Sequence, residues 1–483
     1  MKKSIVQLAS VYLVGSIFGR GVFYGTNVLL SRGLGPDALG VFAFGLTVIK
    51  IGSLLGNIGL DETVQRFVPK YVTSDDDAKL QGLLRLAIIL PFAFGGMVSV
   101  ILYSLRGYAA PYTDPWLLSQ VTPLLIAIPF YGATSVLTDA TRAFKETKYV
   151  VYVKSIALPS ITLVGAIIAV YVFRRVDVFV YGYVVAVVVA FALSVLSLVR
   201  GVGVDITGCV RYPLGTVREY AIPMMAITAV TMVFSNVDIL MLSGLVSATE
   251  VGWYQAAFTT SMIVTMISAA GTSILPSLAS ELHVSEDYDR LEQIYQGITK
   301  WITSLTLAGV LGMILFAEDV MLVFGIEQPA AELTLIILAL TQLFAVSTGP
   351  AAQVLKMTGW ERLIMYNTGV LLLVNILLNY YLIPQYAVVG AAIATGISLA
   401  SVNLIQAVEL WYLMDIEPHA LSHWRGGILA IVTVPAMLFF NILWTPSIVR
   451  VGVAAVVSIG FFSVAAYAMG LDSTDKILFK NLN

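Results

Sequence analysis

Fourteen runs of about twenty mostly apolar residues, each ended by charges, Pro/Gly turns or polar clusters, dominate this chain. A run of that length crosses the hydrocarbon of a bilayer as a helix, which satisfies its own backbone polar groups where water cannot. The runs cover approximately 8–30, 40–60, 83–105, 116–138, 150–173, 176–199, 219–245, 251–279, 298–317, 331–355, 363–383, 388–413, 426–444 and 448–470. Composition points the same way. Of 483 residues, 58% are hydrophobic and 12% charged, whereas a soluble chain carries roughly a quarter charged residues. The first run follows Lys2 and Lys3, but it is longer than a signal-peptide core, contains Arg20 and has no small-x-small cleavage site. It is read as a retained helix, and the chain as an all-α polytopic membrane protein of about 14 transmembrane helices.

Basic residues test that count, since Lys and Arg collect on the cytoplasmic side. With fourteen spans and both termini cytoplasmic, twenty of the 27 basic residues fall in inner loops and helix ends and five on the outer side. Arg20 and Lys50 lie within spans. The expected location is the cell (plasma or inner) membrane. A net charge of -2 argues against nucleic acid as a partner, and the single cysteine, Cys209, excludes an internal disulfide framework.

The chain also resembles itself. Gly33-Leu34 recurs 211 residues later as Gly244-Leu245, and Phe144-Lys145-Glu146-Thr147 is matched with Leu355-Lys356-Met357-Thr358 at the same offset. Gly40-Val41-Phe42 is matched with Gly252-Trp253-Tyr254, one residue out of step. An offset of six helices keeps both units in the same orientation, as in transporters built from parallel repeats. The expected organisation is a six-helix lobe over 1–205, a second over 206–417, and two additional helices over 418–483.

Ionisable groups inside spans cost at least about 2.5–3.5 kcal/mol and usually face a cavity or a partner. Ser16, Arg20, Tyr24 and Asn27 share one stripe of the first helix. Thr47, Lys50, Asn57 and Asp61 share one of the second, and Thr228, Thr231, Ser235 and Asp238 one of the seventh. Arg20 and Lys50, with Asn27 and Asn57, are candidate contacts for an anionic head group. Asp238 is a candidate either for a structural ion pair with one of those cations or for coupling to H+ or Na+. Asp61, Glu62, Arg66, Asp139 and Arg142, beside Lys70, form a salt-bridge rim at inner helix ends or a gate that opens there.

Motifs of enzymatic chemistry do not hold up. Asp75-Asp76-Asp77 has no α/β domain around it, and Gly201-x-Gly203 follows no strand. No nucleophile constellation, Walker loop or metal-ligand spacing is present, so the chain reads as a non-enzyme without cofactor.

At spans eleven and twelve stand Asn375, Asn379, Leu382, Ile383, Pro384, Tyr386, Gly390, Ala391, Ala392, Ala394 and Thr395. Their spacing resembles the signature of polysaccharide flippases, the Wzx-like branch of the multidrug/oligosaccharidyl-lipid/polysaccharide exporter superfamily. Ala387 departs from the glycine usual at its position. Leu34-Gly35 with Val41-Phe42, Gly59-Leu60 leading to Arg66-Phe67, and Asp238 through Gly252-Trp253-Tyr254 are similar to other parts of that pattern. The resemblance implies a two-lobed, V-shaped fold that alternates between inward-open and outward-open states. It implies a polyprenyl phosphate- or pyrophosphate-linked oligosaccharide as substrate, and basic residues in the first two helices, which Arg20 and Lys50 match. It favours a monomer among membrane lipids. The nearest alternative is an ion-coupled drug or metabolite antiporter of the same superfamily; a membrane glycan polymerase or ligase would need larger outer loops.

Overall fold

The computed structural model describes residues 2–204, 210–272, 275–417, 427–428, 430–443 and 448–469; Cys209 lies outside them. The chain forms two compact units, Met1–Gly252 and Trp253–Asn483. Among the described residues every regular element is helical. The first unit contains α1 (Lys2–Leu34), α2 (Pro36–Asn57), α3 (Leu60–Thr73), α4 (Asp77–Ala109), α5 (Pro115–Val121) and α6 (Ala127–Ala143). There follow the continuous helices α7 (Thr147–Phe173), α8 (Val176–Val202) and α9 (Val217–Phe234), then α10 (Val237–Leu245).

Nine helical stretches among the described residues are long and apolar enough to cross a membrane, and the last, Glu361–Met414, bends at Ala387 into two. Together they cover ten of the fourteen expected spans. The eighth expected span, 251–279, is broken into α11 (Ala248–Ser261), a tight turn over Met262–Val264 and α12 (Thr265–Thr272). The first, thirteenth and fourteenth run into residues or side chains outside those described. The apolar surface confirms the multi-pass reading. On α4, Phe94, Met97, Ile101, Leu105 and Tyr108 recur at helical spacing and all are exposed, a stripe that only lipid can cover.

Lipid is as apolar as a leucine side chain, so helices in a bilayer are held by close contact rather than by hydrophobic exclusion. The first unit meets this demand with glycine. Gly45 admits the side chain of Leu124, Gly52 that of Ile128, and Gly56 lies against the backbone of Gly95. Gly19 of α1 seats the backbone of Ser155, and Gly33 the side chain of Val170. At the start of α2, a methyl at Gly40 would collide with the carbonyl of Ala248, and one at Gly252 with the carbonyl of Pro36. This contact is reciprocal, between positions that the sequence pairs as repeats. In the core of the unit the Phe42 ring meets Phe179 and Tyr183 edge-on, centroids 5.1 and 5.3 Å away.

Two turns reveal the repeat in hydrogen bonds. After α3, Ser74, Asp75 and Asp76 donate from their backbone amides to Lys70, Val72 and Tyr71. The second unit repeats this after α13 (Leu275–Val284), with Ser285, Glu286 and Asp287 donating to Glu281, His283 and Leu282. Asp75 and Glu286 both take left-handed backbone, φ 54° and 57°. Asp76 caps α4 by accepting from the Lys79 amide, and Asp287 caps α14 (Tyr288–Leu315) by accepting from the Arg290 amide, each at 3.2 Å. All of these pairs are 211 residues apart. The turn after α6 is different. Phe144 donates to Ala140 and Glu146 to Thr141 around left-handed Lys145. Its counterpart follows α17 (Ala351–Met357), where Thr358 donates to Val354 and Trp360 to Leu355 around Gly359. Lys145 is therefore equivalent to Gly359 and not to Lys356; the offset here is 214, and the expected match of Phe144–Thr147 with Leu355–Thr358 is corrected by three residues. The left-handed position fixes the register, and side-chain likeness had hidden it.

The second unit continues through α15 (Ala317–Val323), α16 (Pro329–Ser347), α17, α18 (Glu361–Met414), α19 (Val434–Leu443) and α20 (Ile448–Met469). A buried ion pair ties α20 to the body of the unit. The Arg450 guanidinium grips both carboxylate oxygens of Asp319, donating from Nε at 3.1 Å and from Nη2. Its Nη1 donates to the carbonyl of Asn441, and Asn441 in turn donates to the carbonyl of Leu315. Both charged side chains are almost wholly buried. Removing one partner of such a pair costs about 3–5 kcal/mol, because the other stays buried and uncompensated. Arg450→Met should lower thermal stability in detergent by that order. Arg450→Met combined with Asp319→Leu should lose clearly less than the two single changes added, and a strictly additive pair would refute the account.

Candidate functional site

The four expected ligand contacts fall into two kinds. Asn27 is fully buried and donates to the carbonyl of Phe23 at 3.1 Å. Asn57 is buried where α2 crosses α6, its amide nitrogen within 3.1 Å of the Ser53 carbonyl and 3.2 Å of the Gly132 carbonyl. Both amides serve backbone carbonyls. Arg20 and Lys50 keep their side chains available.

Arg20 is exposed on α1, next to Gly19, whose face packs on Ser155. Beside it Gly21 and Gly25 border open space, with nothing within 4 Å of a Cβ built at either. The bare stretch of α1 thus presents one guanidinium and two gaps in its side-chain cover. Lys50 is half-buried in the middle of α2, which packs against α1, α4, α5 and α6. Its own carbonyl accepts from Ser53, yet among the described residues no carboxylate or other acceptor pairs with its ammonium.

Asp238 sits in the first turn of α10, which packs against α2, and is buried.

The expected salt-bridge rim is only partly a rim. Asp139 of α6 accepts from Arg142 one turn on, at 3.4 Å. Arg66 of α3, in contrast, pairs with no carboxylate among the described residues; its guanidinium lies 4.5 Å from the Tyr220 ring centroid and 5.8 Å from that of Phe67. Lys70 lies over the other side of the cluster, 5.7 Å from the Phe67 centroid. Asp61 stands in the first turn of α3 beside Glu62, with its Oδ1 fully buried and without a hydrogen bond among the described residues. Sequence reading missed Lys154. It reaches across from α7 to donate to Ser135 at 3.2 Å and lies 3.9 Å from Asp139. An ionisable side chain four residues inside an apolar run is the signal that points to it.

Residues 5–282 match the family described as polysaccharide biosynthesis protein, and residues 223–381 match the MatE family. A relative named probable low-salt glycan biosynthesis flippase Agl15, from Haloferax volcanii, is 27% identical over 188 residues. That match spans 38% of this chain and 39% of the relative. Among solved structures, lipid II flippase MurJ in an inward closed conformation aligns with a TM-score of 0.72 at 11% identity, over 97% of this chain and 98% of its own. An inward-facing multidrug resistance MATE family transporter of the MOP superfamily aligns with a TM-score of 0.65 at 14% identity, over 82% and 96%. These likenesses establish a fold of the MOP-superfamily kind.

An unpaired cation within a membrane helix destabilises its host. Lys50→Met should therefore leave the folded protein as stable as the wild type or more so, by on the order of 1–3 kcal/mol. Thermal unfolding of the purified protein reads this directly, and a marked loss of stability would mean that the ammonium holds the fold together.

Proposed function

Since this chain belongs to the polysaccharide biosynthesis protein family, we propose that it carries a lipid-linked oligosaccharide from the cytoplasmic to the outer leaflet. The lipid is a polyprenyl phosphate or pyrophosphate, the mechanism alternating access, and the destination cell-surface polysaccharide or glycoprotein. The chain moves its substrate rather than transforming it, both termini are cytoplasmic, and an H+ or Na+ gradient drives the cycle.

The observation that carries the reading is Lys50. A cation kept inside a membrane helix without a counter-charge is a standing cost, and an anionic ligand is what would remove it. A phosphate entering from the headgroup layer sheds water as it does so and needs such a charge in return. Exposed Arg20, on a helix bared by Gly21 and Gly25, supplies a second positive group for the head of the same molecule. The name of the Haloferax volcanii relative, a glycan biosynthesis flippase, supports the same substrate class. The match of 223–381 to the MatE family favours one competing reading, an ion-coupled antiporter for drugs or metabolites.

Deleting the gene and following surface glycan together with the sidedness of its lipid-linked precursor separates the two. A flippase predicts less surface glycan, precursor trapped on the cytoplasmic leaflet, and failure of Lys50→Met and Arg20→Ala to rescue despite normal expression. Unchanged glycan and unchanged sidedness would move the antiporter to the front.

A further inference from the structure

Within the first unit, α3, α6 and α7 bring together charges that neither the packing of the helices nor the binding of an anion requires. Asp139, a side chain only 10% exposed, is already served by Arg142 at 3.4 Å and Lys154 at 3.9 Å. Asp61, from a different helix, adds a second carboxyl to the same neighbourhood, and its Oδ1 is buried without a hydrogen bond among the described residues. Burying an ionised oxygen unpaired is expensive, whereas a neutral carboxyl loses much less. Around Lys154 the backbone widens from α-helical to i→i+5 bonding over Val151–Ala157, a distortion that often marks a working position in a helix.

The repeat supplies an internal control. The offset of 211 places Thr272 where Asp61 stands, and the offset of 214 places Gln353 and Thr368 where Asp139 and Lys154 stand. Thr272 and Thr368 bond only within their own helices, to Ser268 and Ile364. The second unit therefore carries no ionisable group at any of the three positions.

We infer that Asp61, Asp139 and Lys154 form a proton-binding site, in which Asp61 holds the proton while Asp139 keeps Lys154. Loss of the proton leaves a second carboxylate that acts on Lys154, which then divides between two anions instead of serving one. The exchange is a simple release, Asp61 carboxylic acid to carboxylate plus H+, and needs no co-reactant. A proton suits the site better than a metal ion, since the Lys154 ammonium already lies 3.9 Å from Asp139 and no group of three or more His, Cys, Asp or Glu is poised for a metal among the described residues.

The charges that act on Asp61 fit this assignment. Burial first, then the negative charge of Asp139, push its carboxyl above the ordinary 3.8, while hydrogen bonds from the backbone amides of Glu62 and Asp61, and then Lys154, pull it partly back. Glu62, Arg66 and Lys70 share its helix; Asp77, Lys79, Arg85 and Arg106 stand on α4, Arg142 on α6, and Arg218 and Glu219 on the segment Val217–Ala221, all elements packed against α3. None of these side-chain charges is among the causes of the shift. Because the folded protein binds this proton more tightly than the unfolded chain, stability falls as pH rises from the ordinary carboxylate value through the elevated one.

The site is testable without any assumption about the transported molecule. Infrared difference spectra of the full-length protein in lipid nanodiscs follow the carbonyl band of a protonated carboxyl as pH is raised. The expected result is a band that persists above the ordinary carboxylate range and disappears in Asp61→Asn. Its midpoint should move down in Asp139→Asn, which removes a like charge, and up in Lys154→Met, which removes a cation. A triple variant copying the second unit, Asp61→Thr with Asp139→Gln and Lys154→Thr, should fold with at least wild-type thermal stability and lack the band. Absence of the band in the wild type, its survival in Asp61→Asn, or midpoints unmoved by the neighbours would overturn the site. So would collapse of the triple variant, since the charges would then be structural. Failure of the flippase reading alone would leave these spectra unchanged.

Discussion

Close backbone contact through glycine is the constraint on which the rest of the first unit depends. In lipid, two helices gain nothing by hiding apolar side chains from water, so they hold together only where they approach closely enough for dense van der Waals contact. Along α2, Gly40, Gly45, Gly52 and Gly56 each receive a neighbour: the backbone near Ala248, Leu124, Ile128 and Gly95. That packs α2 closely on its neighbours, and Lys50 is set on the same helix.

The molecule treats buried charge in three ways. Asp319 and Arg450 neutralise one another with matched geometry and fasten α20 to the second unit. Lys50 has no charged partner among the described residues, which costs stability, and the proposed function gives that cation an anion to meet. Asp61, Asp139 and Lys154 lie between these extremes, with one carboxyl more than the nearby cations fully serve. Only the first arrangement is explained by folding. The other two are local departures from what packing alone would choose, and such departures are where function is found.

Left-handed turns tell the history of the chain more faithfully than its side chains do. Asp75 and Glu286 differ in length, and Lys145 and Gly359 differ in every property, yet each pair closes the same hydrogen-bonded turn. Backbone amides and carbonyls must be satisfied in either unit, so the pattern persists while sequence drifts. The same comparison shows what drifted with consequence: three ionisable residues in one unit against two threonines and a glutamine in the other.

The amino-acid sequence by itself determined the class of the protein, the place of ten of its spans and the family to which it belongs. Apolar run length and positional motifs are local properties, and a helix in lipid has no competing structure. It also located Arg20 and Lys50, because a charge inside an apolar run is visible without coordinates. It could not say that Asn27 and Asn57 turn to backbone carbonyls, or that Arg66 stacks on Tyr220. Nor could it bring Lys154 to Asp139 and Asp61, or Arg450 to Asp319 across 131 residues. Periodicity gives each helix its faces, but the rotation and depth at which helices meet follow from how side chains and glycines interlock. Partnership between charges on different helices was therefore decided by the tertiary structure alone.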